Sequence, residues 1–174
     1  KEKRLKWHQT LGLGNENYRF HDHEKLAHYA DAACDIEFQF PFGFKELEGI
    51  HSRTDFDLGN HEKYAGKKLQ YFDPERNENF VPYVVETSIG LDRMFLAVFS
   101  KALQDETLED GSTRTVLKLP PVLAPTQLAV FPLVKKDGLP EIARKIVGDL
   151  KWDFSVTYDE KDAVGRRYRR QDAL

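Results

Sequence analysis

The chain has 174 residues, of which 40% are hydrophobic and 32% are charged, and its formal net charge is −3. This composition is typical of globular proteins and excludes intrinsically disordered chains. No stretch approaches the about 18 consecutive apolar residues of a membrane helix, and no signal peptide precedes the polar start. A single cysteine, Cys34, excludes an internal disulfide and fits a reducing compartment, so we expect a cytoplasmic protein with no membrane partner.

The length predicts one or two domains. Because no initiator methionine is present, we expect the chain to be part of a longer product or a trimmed form of one. Charge is divided unevenly, with 16 basic against 21 acidic residues in positions 1–118 and 10 against 8 in positions 119–174. The mildly basic C-terminal part is suited to meet a phosphate backbone.

The first half of the chain predicts a helix followed by antiparallel strands. Residues 1–11 alternate charged and apolar positions and predict the end of a helix, whereas residues 18–23 alternate as a strand does. Strict alternation in residues 35–40 and again in residues 44–50, separated by a Pro-Phe-Gly turn, predicts an antiparallel hairpin.

Two glutamates of this hairpin are the first candidate site residues. Glu46 and Glu48 lie two positions apart, so on an extended strand they share one face and repel each other unless a cation or amine lies between them. Paired glutamates are also common on exposed strand faces. The spacing therefore leaves both a binding role and a plain surface role open.

Several histidines and aspartates could be mistaken for a metal site. His21 and His23 share one strand face, but zinc needs a third or fourth ligand, and a metallohydrolase that adds Asp35 and Asp55 is the weakest alternative. Arg53 is expected to pair with Asp55 across one face. We therefore expect residues 51–57 to form a polar strand exit.

The stretch from Tyr83 to Leu103 carries the strongest functional signal. Tyr83–Val85 predicts a short buried strand, and Gly90 lets a planar ligand approach the backbone because it has no Cβ. A stripe typical of a core-facing helix follows it. Its members are Leu91, Met94, Phe95, Val98, Phe99 and Ala102. Arg93, near the helix start, requires an anion, which is either a local carboxylate or a bound phosphate.

The segments on either side of this stretch complete the first predicted domain. Residues 60–79 predict a short helix and a surface hairpin, residues 104–112 an acidic loop, and residues 113–119 a last strand. Proline pairs then stiffen the chain, which predicts a boundary between domains at 1–119 and 120–174.

The C-terminal part predicts a parallel strand pair. A strand in residues 127–134, a helix in residues 139–150 and a strand in residues 154–158 give β-α-β order with a right-handed crossover. The densest basic cluster follows, and arginines around a tyrosine are suited to contact phosphates and stack on bases. Its members are Arg166, Arg167, Tyr168, Arg169 and Arg170. An exposed helix turn without RNA contact explains the cluster almost as well.

Four segments resemble one known family and occur in the same order as in that family. ETSIGLDR, residues 86–93, is similar to the third signature motif of class II aminoacyl-tRNA synthetases, in the form used by glycyl-tRNA synthetases. Residues 27–61 are similar to the segment that precedes this motif in that family. Residues 124–139 and 165–174 resemble the anticodon-binding domain that follows the catalytic core.

The resemblance implies roles for individual residues. Arg93 matches the catalytic arginine that binds phosphate, and Glu46 matches an ATP-site acid that could also bind Mg²⁺. Positions that match the glycine site are Glu86, Thr87, Ser88, Ile89 and Gly90. Positions that match the ATP site are Glu46, Leu47, Gly90, Leu91, Asp92 and Arg93. Thr87 replaces the proline usual in the family, which puts only the rigidity of this segment in doubt.

The resemblance also implies fold, partners and activity. We expect an α+β fold in which an antiparallel sheet with flanking helices, an incomplete catalytic core, precedes a small α/β anticodon-binding domain that is also incomplete. Glycine, ATP with Mg²⁺, and tRNA(Gly) are the implied substrates and partners, and the parent protein is expected to be a homodimer. The first and second signature motifs do not occur, so we expect the 174 residues alone to be inactive.

Two further alternatives remain open. A non-catalytic tRNA-binding relative would keep the fold, although an intact ammonium pocket speaks against it. Another class II synthetase, such as a prolyl or threonyl enzyme, would share the third motif, but not the run ELEGIHSRTDFDL.

Overall fold

The structure, a computed structural model, describes residues 1–173 as a mixture of helices and mainly antiparallel strands, as predicted. The α-helices are α1 (Glu2–Gln9), α2 (Phe56–Ala65), α3 (Leu91–Ala102), α4 (Leu139–Leu150) and α5 (Val164–Gln171). The strands are β1 (Tyr18–Asp22), β2 (Ala32–Phe40), β3 (Gly43–Ser52), β4 (Tyr71–Asp73), β5 (Glu78–Phe80), β6 (Val85–Ile89), β7 (Leu103–Thr107), β8 (Thr113–Leu117), β9 (Leu128–Val130) and β10 (Val156–Tyr158).

Backbone contacts divide the chain into two compact units. The first contains Lys1–Thr10 and Gly14–Ala97, and the second contains Leu11–Leu13 and the residues from Val98 onward. This division does not test the predicted domain boundary after residue 119, which stays a prediction. Leu174, the last residue of the predicted second domain, lies outside the described residues. Within residues 1–173, every helix is too short or too polar to cross a membrane.

A four-stranded sheet organises the first unit, and its strand order is β1-β2-β3-β6. All three neighbouring pairs are antiparallel, so the hairpin predicted from the alternating pattern is confirmed and extends further at both ends. Gly43 begins β3 with a φ of 100°, a conformation that an L side chain rarely adopts. The Pro-Phe-Gly turn therefore depends on this glycine.

Aromatic and aliphatic side chains on β1, β2 and β3 form the core of this unit. The rings of Tyr18 and Phe38 lie 5.1 Å apart, and those of Phe38 and Phe40 lie 5.3 Å apart, in edge-to-face arrangements. Ile36 and Leu47 are buried beside them. Each such side chain contributes about 1.5–3 kcal/mol through the apolar surface it removes from water.

One irregularity in the sheet decides where the two glutamates of β3 lie. Ile36 pairs with Glu48 and the next residue of β2, Glu37, pairs with Glu46, which leaves Leu47 as an extra residue in β3. Such a bulge bends the strand and re-aims its side chains. The expectation that Glu46 and Glu48 share one face of the strand is therefore wrong: Glu46 is exposed, whereas Glu48 is completely buried.

Two segments have a different secondary structure from the one predicted. The strand expected at Tyr83–Val85 is instead β6, which begins at Val85, and Tyr83 is 65% exposed. The polar residues after Val85 still pair with β3. The first four residues of the acidic loop expected at residues 104–112 belong instead to strand β7, which pairs with β8. Glu106 can occupy a strand because Arg114 on β8 hydrogen-bonds its carboxylate.

Of the six residues in the predicted core-facing stripe of α3, three are exposed and Ala102 alone is buried. Leu91 is 82% exposed and Phe95 is 67% exposed, whereas Ala97 and Ala102 are buried. Periodicity predicted the helix and its apolar face correctly, but it does not specify what that face packs against.

The elements at residues 128–171 agree with the sequence pattern. Strands β9 and β10 pair in parallel, as the β-α-β order predicted, although both are shorter than expected. Helix α4 has the predicted bounds. Helix α5 contains the basic cluster.

Candidate functional site

The candidate site lies on the polar face of the four-stranded sheet, at the junction of β6 and α3. The register of β3 and β6 sets Glu86 opposite His51 and Ser88 opposite Gly49. Because side chains alternate along a strand, Glu86 and Ser88 share one face. The sequence prediction that these two groups act together is therefore compatible with the sheet.

Gly49 keeps space on this face of the sheet. A Cβ built at this position would lie 3.2 Å from Cε1 of His51 and 3.6 Å from Oδ1 of Asp35. Any side chain here would therefore crowd the sheet opposite Ser88. The sequence offered only its place in the ELEGI run as a signal for this glycine.

The histidines on this face lie near one another but do not form a metal site. Nε2 of His23 is 2.8 Å from Oδ2 of Asp35, without the angle of a hydrogen bond, and its ring centroid is 6.0 Å from that of His51. Across residues 1–173, no group of three or more histidine, cysteine or acidic side chains could hold a metal ion. The residues of the metallohydrolase alternative therefore do not come together as a metal-binding group in the described part of the chain.

Arg93 reaches back from the first turn of α3 to β3. Its Nη1 donates to the backbone oxygen of Glu46 at 2.6 Å and lies 3.3 Å from Oε2 of the same residue. The local carboxylate considered in the sequence analysis is thus Glu46. Both side chains are about half exposed, so the guanidinium keeps donors that face solvent and could receive a phosphate.

Gly90 sits between the strand and the helix with ample room. Its φ is not in the left-handed region, and an added Cβ would make only ordinary contacts, the nearest at 3.7 Å from Cβ of Arg93. Backbone conformation therefore does not require glycine at this position. Approach of a ligand to the backbone remains the physical reason that favours it.

Arg53 forms ion pairs with two carboxylates, although it was not among the site residues predicted from the sequence. Its Nη1 donates to Oε2 of Glu86 at 2.6 Å, and its Nε and Nη2 donate to the two oxygens of Asp57 at 2.5 and 3.1 Å. The expected partner was Asp55. The amide of Arg53 continues the ladder with a hydrogen bond to the backbone oxygen of Val84, a contact for which the sequence offered no signal.

Glu48 belongs to the structure of the first unit and not to the exposed site. Arg4 donates to its two oxygens at 2.5 and 3.0 Å, and Nε2 of His8 lies 2.6 Å from Oε2. Burial alone would raise the pKa of Glu48, but the hydrogen bonds from Arg4 and His8 outweigh it and lower the pKa. The carboxylate therefore ties α1 to β3 in its ionised form.

The basic cluster on α5 is divided between structure and surface. Arg167 is 3% exposed, and its guanidinium donates to the backbone oxygens of Pro132 and Asp159 at 2.7 and 3.2 Å. Arg167 is thus committed to the second unit, contrary to the RNA contact expected for it. Arg166, Tyr168, Arg169 and Arg170 are exposed. Arg170 also forms ion pairs with Asp159 and Asp162.

Comparison with known proteins gives sequence relatives along the whole chain. The chain is 51% identical to a glycine–tRNA ligase of Chlorobaculum tepidum over 175 residues, which is 100% of this chain and 37% of that protein. It is 48% identical to a glycine–tRNA ligase of Borrelia hermsii, over 99% of this chain and 40% of that protein. It is 49% identical to a glycine–tRNA ligase of Geobacillus thermodenitrificans, over 97% of this chain and 36% of that protein. No model of a known protein family matches the chain.

Identity near 50% along the whole chain, with the motif of residues 86–93 inside the matched region, assigns the sequence to the class II aminoacyl-tRNA synthetases. Within that class it belongs to the glycyl-tRNA synthetases. The chain spans between 36% and 40% of the length of these relatives.

Proposed function

We propose that this chain supplies part of the active site of a glycine–tRNA ligase, which activates glycine with ATP and transfers it to tRNA(Gly). The observation that carries the proposal is the β6–α3 junction. There a carboxylate, a hydroxyl group, an unhindered glycine and an arginine follow one another within residues 86–93, in a chain whose relatives bear that name. Residues 1–119 would then be part of the catalytic core, and residues 120–174 part of an anticodon-binding domain.

Glu86 and Ser88 are proposed to hold the ammonium group of glycine. A carboxylate neutralises its charge, and a hydroxyl oxygen accepts a hydrogen bond from it. Thr87 lies between these two residues and Ile89 follows them, so both would set the distance between the glycine-binding groups along the strand. Selection of glycine would come from the exclusion of any Cβ by the walls of the pocket.

Arg93 is proposed to bind a phosphate of ATP, with Leu91 and Asp92 in the same helical turn. The side chain of Leu47 on β3 is buried in the core, so this residue would contribute to the nucleotide site through its backbone. The glycine carboxylate would attack the α-phosphorus and displace pyrophosphate, which gives glycyl-adenylate. A hydroxyl group of the terminal ribose of the tRNA would then attack the glycyl carbonyl, form the ester and release AMP. Fixed donors that neutralise the phosphates would supply most of the acceleration.

Glu46 fits a role as one ligand of Mg²⁺. It is a half-exposed carboxylate beside Arg93, and Mg²⁺ is commonly held by one or two carboxylates together with substrate phosphates and waters. When bound, the ion would neutralise phosphate charge. Through its carboxylate, Glu46 would also hold the guanidinium of Arg93 in place beside the same nucleotide.

The exposed residues of α5 are proposed to contact tRNA. Arg166, Arg169 and Arg170 would meet phosphates, and Tyr168 would stack on a base. Replacing Arg166 and Arg169 with glutamate is expected to weaken tRNA binding and reduce its salt dependence, whereas Arg76→Glu in the first unit is not. Cytoplasmic location and a homodimeric parent protein are proposed from the family resemblance.

The test of the proposed function is amino-acid-dependent ATP–pyrophosphate exchange on the full-length protein that contains this chain. Glycine, alanine, serine and proline are compared, together with the variants Glu86→Ala and, as a control on the exposed β4–β5 turn, Glu75→Ala. We expect exchange with glycine alone, lost in Glu86→Ala and kept in Glu75→Ala. Exchange with another amino acid would indicate a different class II synthetase, and none at all would indicate a non-catalytic relative.

A further inference from the structure

We propose that Arg53 and Asp57 form a positioning pair that fixes the glycine-binding carboxylate of Glu86 and preserves its negative charge for the substrate ammonium. This inference rests on the proposed function, because it assigns a role to residues around the same site. It concerns the charge balance and aim of that site and not the identity of the ligand.

Three different elements bring the charged groups together. Arg53 follows the end of β3, Asp57 lies in the first turn of α2, and Glu86 lies on β6. The backbone of Arg53 is fixed by a hydrogen bond of 2.8 Å from its amide to the oxygen of Val84, and the amide of Val84 donates to Thr54 at 2.9 Å. The arginine side chain therefore starts from a rigid position.

The guanidinium of Arg53 is held on two sides before it reaches Glu86. Its Nε and Nη2 bind both oxygens of Asp57, a bidentate arrangement that fixes the plane of the guanidinium. Its central carbon also lies 4.0 Å from the ring centroid of Tyr29, where cation–π attraction adds to the restraint. Of the guanidinium nitrogens, only Nη1 donates a hydrogen bond to Glu86, and the acceptor is Oε2.

This geometry leaves the second oxygen of Glu86 available for a ligand. A carboxylate with both oxygens free can rotate, and one fixed through Oε2 presents Oε1 in a constant direction. Misplacing a binding group by about 1 Å can cost about 100-fold in rate, so fixing this oxygen is of direct value to the reaction.

Asp57 resolves the conflict that a cation beside an ammonium pocket would otherwise create. Arg53 alone would cancel the charge of Glu86 and repel the substrate. The hydrogen bond from Arg53 lowers the pKa of Asp57, so Asp57 is ionised at neutral pH. The three groups then carry a net charge of −1, which is the charge an ammonium group needs.

The experiment measures ATP–pyrophosphate exchange on the full-length protein, with KM determined separately for glycine and for ATP. Asp57→Asn keeps the shape of the side chain and removes the compensating charge, so we expect the KM for glycine to rise about tenfold and the KM for ATP to stay unchanged. Arg53→Met is expected to reduce kcat/KM for glycine by up to about 100-fold. Arg53→Lys should recover only part of this loss, because lysine lacks the fork that serves two carboxylates.

Matched controls separate positioning from general effects on the fold. Asp149→Asn removes an exposed carboxylate from another i,i+4 pair, with Lys145 on α4, and Arg76→Lys alters an exposed arginine. Both are expected to leave both KM values unchanged. Thermal unfolding is recorded for every variant, and where Arg53→Met does not fold, Asp57→Asn and Arg53→Lys decide the result.

The outcomes separate this inference from the proposed function. Wild-type exchange with glycine, combined with a rise in the KM for glycine alone in Asp57→Asn, establishes the positioning pair. Wild-type exchange with equal changes for glycine and ATP, or with no change in either, overturns the positioning pair and leaves the proposed function standing. Absence of exchange in the wild-type protein overturns the proposed function and this inference together.

Discussion

Replacing Glu48 with alanine is expected to destabilise the first unit far more than the same change at Glu46, two positions away on the same strand. Glu48 is completely buried and accepts hydrogen bonds at 2.5 and 3.0 Å from Arg4, with Nε2 of His8 at 2.6 Å. Removing one partner of a buried charge pair costs about 3–5 kcal/mol, because the remaining charge stays without compensation.

The lower end of that range applies here. The side chain of Arg4 is one third exposed and can turn toward water once its partner is gone, whereas His8 is completely buried and cannot. We therefore expect a loss of about 3 kcal/mol for Glu48→Ala. Glu48→Gln keeps the volume and one acceptor, so a loss of about 1–2 kcal/mol is expected for it. The exposed control Glu46→Ala should change stability by no more than about 0.5 kcal/mol.

The assay is urea unfolding of the chain followed by the fluorescence of Trp7. The sequence has two tryptophans, and a Trp152→Phe background leaves only the one in α1, whose ring centroid lies 5.0 Å from that of His8. Midpoints and slopes give the free energy of unfolding of the first unit. If Glu48→Ala and Glu46→Ala differ by less than about 1 kcal/mol, the buried network does not stabilise the unit as argued.

Three further outcomes follow from the buried groups. Burial lowers the pKa of His8 below 6.5, so as the pH falls His8 binds a proton in the unfolded chain before it does in the folded chain. The contribution of His8 to the free energy of unfolding should therefore be fully present above about pH 6.5 and decrease below it. A flat profile between about pH 7.5 and 5.5 in urea unfolding would contradict this. Arg167→Met should cost the second unit about 1.5–3 kcal/mol by Trp152 fluorescence, against about 0.5 or less for Arg169→Met. Burial raises the pKa of Cys34 to about 11, so a thiol reagent should react slowly with the native chain at pH 7 and quickly in guanidinium chloride; equal rates would exclude a buried thiol.

Local patterns carried most of the fold. The hairpin of β2 and β3 was predicted from strict alternation of apolar and polar residues over 35–40 and 44–50. Helix α4, which follows Gly138, was predicted from apolar residues that recur with the helical period of 3.6. The parallel pairing of β9 and β10 followed from the β-α-β order. These features depend on short stretches of chain, which is why one sequence was sufficient.

The partners of charged side chains could not be predicted in the same way. Strand β7 was interpreted as a loop because its acidic residues disfavour strands, and the arginine that compensates Glu106 lies eight positions along the chain. Arg53 was paired with the wrong aspartate because its true partner depends on where α2 begins. In both cases the three-dimensional structure, and not the local sequence, determines which charged neighbour is the partner.

The family resemblance named the residues at the β6–α3 junction, but it did not indicate how the sheet aims them. The extra residue at Leu47 separates two glutamates that regular alternation would place on one face. As a result Glu48 turns inward and anchors α1, while Glu46 stays at the surface within 3.3 Å of Arg93. A regular strand would force both carboxylates to compete for the same cations. The bulge lets one short run of sequence anchor α1 through Glu48 and leave the acid Glu46 exposed beside Arg93.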